Sequence, residues 1–309
     1  MGAAGLYWRH GLGIYLRRHL LLLVIGLAHF ALLWHGDIIA SYAQVALLLP
    51  LWLRRSPSCT ALTLWAVGLG LLYFIPTFWA ALAMNWSAPR YGFSPQFEEH
   101  QSYLSILRER LHDLPSDSLL GYPYDIQSLA GGLLFAGFFL LYFLLGAAMQ
   151  KSGLLARPQQ HQVALRRLAF WGLGLGVPLG VLLAWMNAQT AAPYTYLSES
   201  VRMVGGLLMA LGYIGLFGLI SLGRSARRLL PLAYSGRMAM SNYIAQSLVM
   251  TTLFYPYTFG LYGHVGAAGA VAFALAFGVL QVALSRLYLA HFPRGPLETL
   301  VRWAVYGRS

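Results

Sequence analysis

An all-α, polytopic transmembrane bundle of about eight spans, with both termini cytoplasmic, is the fold the sequence predicts, and three observations predict it. Of 309 residues, 58% are hydrophobic and 10% charged, whereas an ordinary soluble domain carries roughly 25% charge. The apolar residues gather into runs long enough to cross a hydrocarbon core of roughly 30 Å as helix, in which each backbone amide finds its partner inside its own segment. Short alternating segments of the kind a transmembrane barrel needs do not occur. Finally, charge segregates by loop. With the N-terminus inside, only Arg90, Arg108, Arg110 and Arg202 of the 21 Lys and Arg residues fall outside, and only Glu298 of the nine acidic residues falls inside. One missed span in the middle would scramble that pattern, so it supports both the even count and the orientation.

The spans are expected at 20–34, 38–53, 59–84, 126–149, 168–187, 203–222, 238–255 and 268–289 of a single membrane domain covering 1–309. The first two are short, and the flanking Arg17, Arg18, Arg54 and Arg55 extend them by snorkelling. Residues 1–15 read as a juxtamembrane stretch. The extracytoplasmic loop 85–125 carries Glu98, Glu99, Glu109, Asp113 and Asp117, and its segment from Pro95 to Leu111 is expected to form a short amphipathic surface helix. Ser94-Pro95 opens that helix and Leu114-Pro115 stops it. Pro50, Pro76 and Pro178 are expected to bend or interrupt their helices. The pairs and runs Gly68/Gly70, Gly172/Gly174/Gly176 and Gly205/Gly206 lie inside spans, where small residues let helices approach closely. No strand precedes the Gly172–Gly176 run, which argues against dinucleotide binding.

Composition also excludes several functions. With Cys59 the single cysteine, neither an intrachain disulfide nor a thiolate metal cluster can form. No metal site and no cofactor is expected. The formal net charge of +12 is spread between apolar runs, which points to membrane lipids as partners rather than nucleic acid.

Polar side chains inside apolar runs mark where chemistry is to be sought, because lipid makes them costly. His29 stands in Ile25-Gly26-Leu27-Ala28-His29-Phe30 with no other polar residue for a turn on either side. A tight turn at His35-Gly36 would pair the first two helices and set Tyr42–Gln44 at the level of His29. Asp37, Ser41 and Gln44 share a face by three- and four-residue spacing. His29, Asp37, Ser41, Tyr42 and Gln44 are therefore expected to line one outward-opening pocket, with Asp37 also suited to cap the second helix. On the seventh span Asn242 and Gln246 share a face with Tyr243 adjacent, and Arg237 lies at the cytoplasmic mouth. That set would bind a polar or anionic group, or tie helices together through amide hydrogen bonds.

The run Gly236-Arg237-Met238-Ala239-Met240-Ser241-Asn242-Tyr243 with Gln246-Ser247, then Leu261-Tyr262-Gly263, Leu284-Ser285-Arg286 and Gly295-Pro296-Leu297-Glu298 with Arg302, resembles the carboxy-terminal domain of the YeiB-like bacterial inner-membrane family, domain of unknown function 418. That domain would cover about 130–309. Upstream, Leu144-Leu145-Gly146, Gly153-Leu154-Leu155, Gly26-Leu27-Ala28-His29 and Gly36-Asp37-Ile38-Ile39 with Tyr42 resemble the same family. The resemblance implies a multi-pass protein of the bacterial inner membrane. More distantly it implies kinship with membrane acyltransferases that move acyl groups onto sugars or other acceptors, and the family has also carried a transport label. The usual opening membrane segment of the family has no counterpart in Met1–Arg18, so N-terminal helices are expected to be missing.

Three readings follow. The first is an acyltransferase in which His29 is general base, Asp37 orients it, and the partners are an acyl donor and a small polar acceptor. The second is a permease in which Arg237, Asn242, Tyr243 and Gln246 hold a polar solute. The third is a structural membrane protein. Oligomeric state is left open.

Overall fold

The computed structural model describes residues 3–53, 57–83, 101–117, 126–188 and 192–307. Arg54, Arg55, Glu98, Glu99 and the expected start of the loop helix at Pro95 lie outside them. Among the described residues there are helices and no strand. The helices are α1 (Ala3–Leu32), α2 (Ile39–Leu53), α3 (Cys59–Leu82), α4 (Tyr103–Asp117), α5 (Ile126–Ser152), α6 (Gln162–Asn187), α7 (Ala192–Ile220), α8 (Leu230–Arg237), α9 (Ala239–Phe254), α10 (Ala267–His291) and α11 (Pro296–Tyr306). Short 3-10 turns at Pro158–His161 and Arg224–Leu229 precede α6 and α8.

Five stretches among the described residues are long and apolar enough to cross a membrane: Gly11–Leu32, Cys59–Trp79, Pro158–Asn187, Ser200–Ile220 and Ala268–His291. Two more, Ile39–Pro50 and Ala136–Ser152, are apolar but shorter. Large side chains such as Val24, Trp79, Phe170, Val181 and Val279 point outward from the long helices, as expected where lipid rather than water is the outer solvent.

Several local expectations are corrected. Residues 3–15, the expected juxtamembrane stretch, are helical and form the first turns of α1. The loop helix α4 runs through the expected stop at Leu114-Pro115 to Asp117. Helices α2, α3 and α6 are not interrupted at Pro50, Pro76 and Pro178. A proline removes one amide donor without forcing a break where neighbouring turns and helices hold the segment. The short helices α8 and α11 lie outside the expected spans. In α11, Val301 and Val305 are buried while Leu300, Arg302 and Trp303 are exposed, a four-residue spacing that defines its packing stripe.

The chain divides into two compact units. One comprises Arg55–Phe93 and Leu133–Arg228. Its centre is the extended contact of α6 with α7. A methyl group built on Gly172 would run into the backbone of Gly212 and Leu208, and one on Gly176 into Met209. Gly174, two residues from each, faces open space, so only the three- and four-spaced glycines do the packing that the sequence run suggested. At the end of α5, Gly153 takes φ 73°, and its amide and that of Leu154 bond back to Gln150 and Met149. This is a left-handed helix stop that favours glycine.

The other unit joins Met1–Arg54, Ser94–Gly132 and Leu229–Ser309. Here α1 and α2 run antiparallel, with Gly26 pressed against the backbone of Ala40 and the Tyr15 hydroxyl donating to the Ala46 carbonyl at 2.6 Å. Helix α4 lies on the end of α1, and α11 contacts α1 and α9. All residues of the candidate site belong to this unit.

Candidate functional site

Helix α1 ends where the His29 carbonyl accepts from both Leu33 and Trp34 amides. The chain then turns and enters α2. Asp37 controls that entry, since its Oδ2 accepts from the Ala40 amide at 2.7 Å, satisfying one of the unpaired donors at the start of the helix. Its other oxygen, Oδ1, lies 2.8 Å from His29 Nδ1. The two side chains are 1% and 0% exposed. A carboxylate only accepts, so Nδ1 carries a proton, and in the neutral imidazole the lone pair is on Nε2. Nε2 is buried and has no hydrogen-bond partner.

Tyr243 of α9 closes the arrangement. Its ring lies 5.1 Å from the His29 ring, its hydroxyl accepts from the Ile38 amide at 3.3 Å, and the same hydroxyl faces Asp37. Trp34 meets the imidazole edge-on at 6.5 Å. Trp34 and Tyr243 also form part of the wall of a cavity of about 490 Å³. Its other walls are Gln246, Ser247, Met250, Thr251, Phe254 and Tyr255 of α9 and the turn after it, Tyr262, and Ala274 and Phe277 of α10. Gly260, at φ 62°, reverses the chain after α9 so that the Tyr262 amide bonds back to Phe254. That reversal carries the Tyr262 ring to the cavity. The imidazole thus sits directly behind two of the cavity's aromatic walls.

Asp37 stands beside His29 and Ala40 beside Gly26, across a turn of six non-helical residues, 33–38. Ser41, Tyr42 and Gln44 are not among the residues lining the cavity. Tyr42 is 42% exposed, and both amide atoms of Gln44 are buried without a partner.

On α9 the polar residues have different neighbours. The Asn242 side-chain amide donates to Ser235 and to Ser285 Oγ, the last at 3.0 Å. Gln246 Nε2 donates to Gln281 Oε1 at 2.7 Å, and Gln281 Nε2 returns to the Asn242 carbonyl at 2.9 Å. These bonds stitch α9 to α10. The Arg237 guanidinium donates to the Pro293 carbonyl at 2.8 Å. Of the expected solute-binding set, Tyr243 and Gln246 reach the cavity.

Arg110, Trp34, Tyr255, Gln281, Ser285 and Glu298 join the site or its support without having been expected there. Glu298 accepts from the Met240 and Ser241 amides at 2.9 and 3.1 Å and from the Ser241 hydroxyl, so α11 supplies the N-terminal cap of α9. A signal for Arg110 existed: Tyr103, Ile106 and Arg110 share one face of α4 by helical spacing, and Ile106 and Arg110 are 3% and 4% exposed.

The model of the family described as "Protein of unknown function (DUF418)" matches residues 149–308. The chain is 32% identical to the uncharacterized protein YxaH of Bacillus subtilis (strain 168) over 95% of its own length and 72% of the relative's. It is 30% identical to the uncharacterized protein YeiB of Escherichia coli (strain K12) over 91% and 73% of the respective chains. An uncharacterized 39.9 kDa protein from the amylase 3′ region of Bacillus acidopullulyticus is 33% identical over 34% of this chain and 30% of its own. No solved structure matches. A family match over more than half of the chain, together with two relatives aligned over nearly all of it, leads to one conclusion: the chain belongs to the DUF418 family.

Proposed function

We propose that the protein is a multi-pass enzyme of the bacterial cytoplasmic membrane that transfers an acyl group to a hydroxyl acceptor, with His29 as general base. The observation that carries this reading is the shielded His29–Asp37 pair with Nε2 unpartnered behind the cavity wall. In the reaction the acceptor oxygen attacks the carbonyl of an acyl ester or thioester donor as Nε2 takes the hydroxyl proton. The carbon–oxygen or carbon–sulfur bond to the leaving group then breaks, and the imidazolium returns the proton to that group. Asp37 holds Nδ1–H and offsets the transient positive charge. For Nε2 to reach substrate, Trp34 must swing aside. It is 38% exposed, on the turn between α1 and α2, and the more exposed of the two walls. The permease reading has less support, because the Arg237 and Asn242 side chains are already engaged by protein groups.

Asp37→Asn tests the pairing. Asparagine replaces one of the two accepting oxygens of Asp37, which serve His29 Nδ1 and the Ala40 amide separately, with an N–H donor, and that N–H offered to Nδ1 turns the imidazole into the wrong tautomer. Transfer of labelled acyl groups in membrane vesicles should fall roughly 10²- to 10³-fold, within the range for general-base loss, at unchanged membrane abundance. Turnover within a factor of two of the natural protein would remove Asp37 from the mechanism.

The proposed orientation has the termini and Cys59 at the cytoplasmic side and α4 outside, as the loop charges require. In intact cells an impermeant maleimide should label a Glu109→Cys variant and spare Cys59. Labelling of Cys59 alone would invert the topology.

A further inference from the structure

Arg110 is a charge without an adequate counterpart. It projects from α4 into the unit and is 4% exposed. Its Nη1 donates to the Ala31 carbonyl at the end of α1 over a long 3.4 Å, and its guanidinium lies over the Tyr255 ring, 5.2 Å from the centroid. Nη2 is buried with no partner. The ion pair found among the described residues is His29–Asp37, so no described carboxylate neutralises Arg110. A helix-end carbonyl and an aromatic face each draw a cation, but neither replaces the hydration of a fully desolvated guanidinium. Helix α4 has a second tie to the same unit: the Tyr103 hydroxyl donates to the Leu32 carbonyl at 3.1 Å, and its ring packs on Tyr257.

Tyr255, whose ring carries the guanidinium, is also a wall of the cavity described above. Beyond it the space is bounded by Trp34, Met250, Phe254, Ala274 and Phe277, with hydroxyl and amide groups from Tyr243, Gln246 and Thr251. A buried guanidinium with Nη2 unpartnered, behind the Tyr255 wall of an aromatic, mostly apolar chamber, matches one ligand chemistry, a negatively charged head joined to an apolar chain. Phosphate and carboxylate oxygens both accept from a guanidinium N–H.

We infer that Arg110 anchors the anionic headgroup of an amphiphile whose apolar part fills the cavity, so that the substrate of the unit is an anionic lipid-like molecule. The inference names the substrate class for the acyl transfer proposed above, and rests on that reading for the reaction but not for the binding.

The test is retention of lipid by the full chain in nanodiscs containing equal phosphatidylglycerol and phosphatidylcholine, read by native mass spectrometry. The natural protein should retain the anionic lipid about tenfold over the zwitterionic one, as expected for a charge-assisted contact. Arg110→Gln should erase the preference and Arg110→Lys keep part of it. Phe277→Trp, which fills the chamber and leaves the arginine intact, should reduce lipid retention. Inorganic phosphate alone is the second arm: thermal stabilisation equal to that by the lipid, with Phe277→Trp silent, would identify a free-anion site and overturn the amphiphile. Equal retention of both lipids by the natural protein, or an unchanged preference in Arg110→Gln, would overturn the anchor. Should Arg110→Gln not fold, the natural protein's preference and the Phe277→Trp result decide. Because these readouts are of binding, a His29→Gln protein that retains the anionic lipid but does not turn over separates this inference from the base role.

Discussion

Glutamine in place of His29 should leave a folded, membrane-inserted protein with acyl transfer reduced by about 10⁴-fold, the upper end of what a positioned general base contributes. The amide can still donate to Asp37 Oδ1, which His29 Nδ1 occupies at 2.8 Å, so the cap that Asp37 places on the Ala40 amide is retained. What disappears is a nitrogen able to take a proton near neutral pH. The measurement is transfer of labelled acyl groups, normalised to folded protein in the membrane. The double variant with Asp37→Asn should be no slower than His29→Gln by itself, since the two groups act as one unit. Full activity of His29→Gln would end the general-base proposal. Partial losses that multiply in the double variant would mean that the two residues act separately.

The second large effect concerns packing. Gly172→Ala should lower the thermal stability of the detergent-purified protein by about 3 kcal/mol or prevent folding, at or above the upper end of ordinary overpacking costs. The new methyl meets backbone of Gly212 and Leu208, which cannot rotate away as a side chain would, so α6 and α7 must separate along their contact. Gly174→Ala is the internal control. It sits on the same helix facing open space and should be neutral or stabilising by about 0.5–1 kcal/mol through backbone entropy. Equal unfolding midpoints for the two variants would contradict the close approach of α6 and α7.

Much of the helix content follows from local sequence. The apolar runs, the charge asymmetry of the loops and the family resemblance each emerge from residues near one another in the chain, and hydrophobic periodicity reports them directly. His29 and Asp37 are separated by eight residues, so a single tight turn was enough to suggest their proximity. The path of the turn over 33–38, which sets the register between α1 and α2, has no sharp mark in the sequence.

The partners contributed by distant segments are another matter. Tyr243 meets Ile38 across 205 residues, Arg110 meets Ala31 across 79, and Glu298 caps α9 across 58. In a lipid-like solvent all outward helix faces are apolar, so the hydrophobic pattern that orients a helix in a soluble protein carries little information about which neighbour it chooses. By itself the sequence determined that this is a helical chain of the DUF418 family, with membrane-length apolar helices and a histidine and an aspartate set close together at the first turn. Only the tertiary structure decided that Tyr243 and Trp34 would stand between that histidine and a cavity, and that the amides of α9 would be spent on α10. It also decided that an arginine from a connecting helix would be buried at the end of α1. Those outcomes depend on shape complementarity and on the hydrogen-bond demands of groups removed from water, which arise only once the helices are in contact.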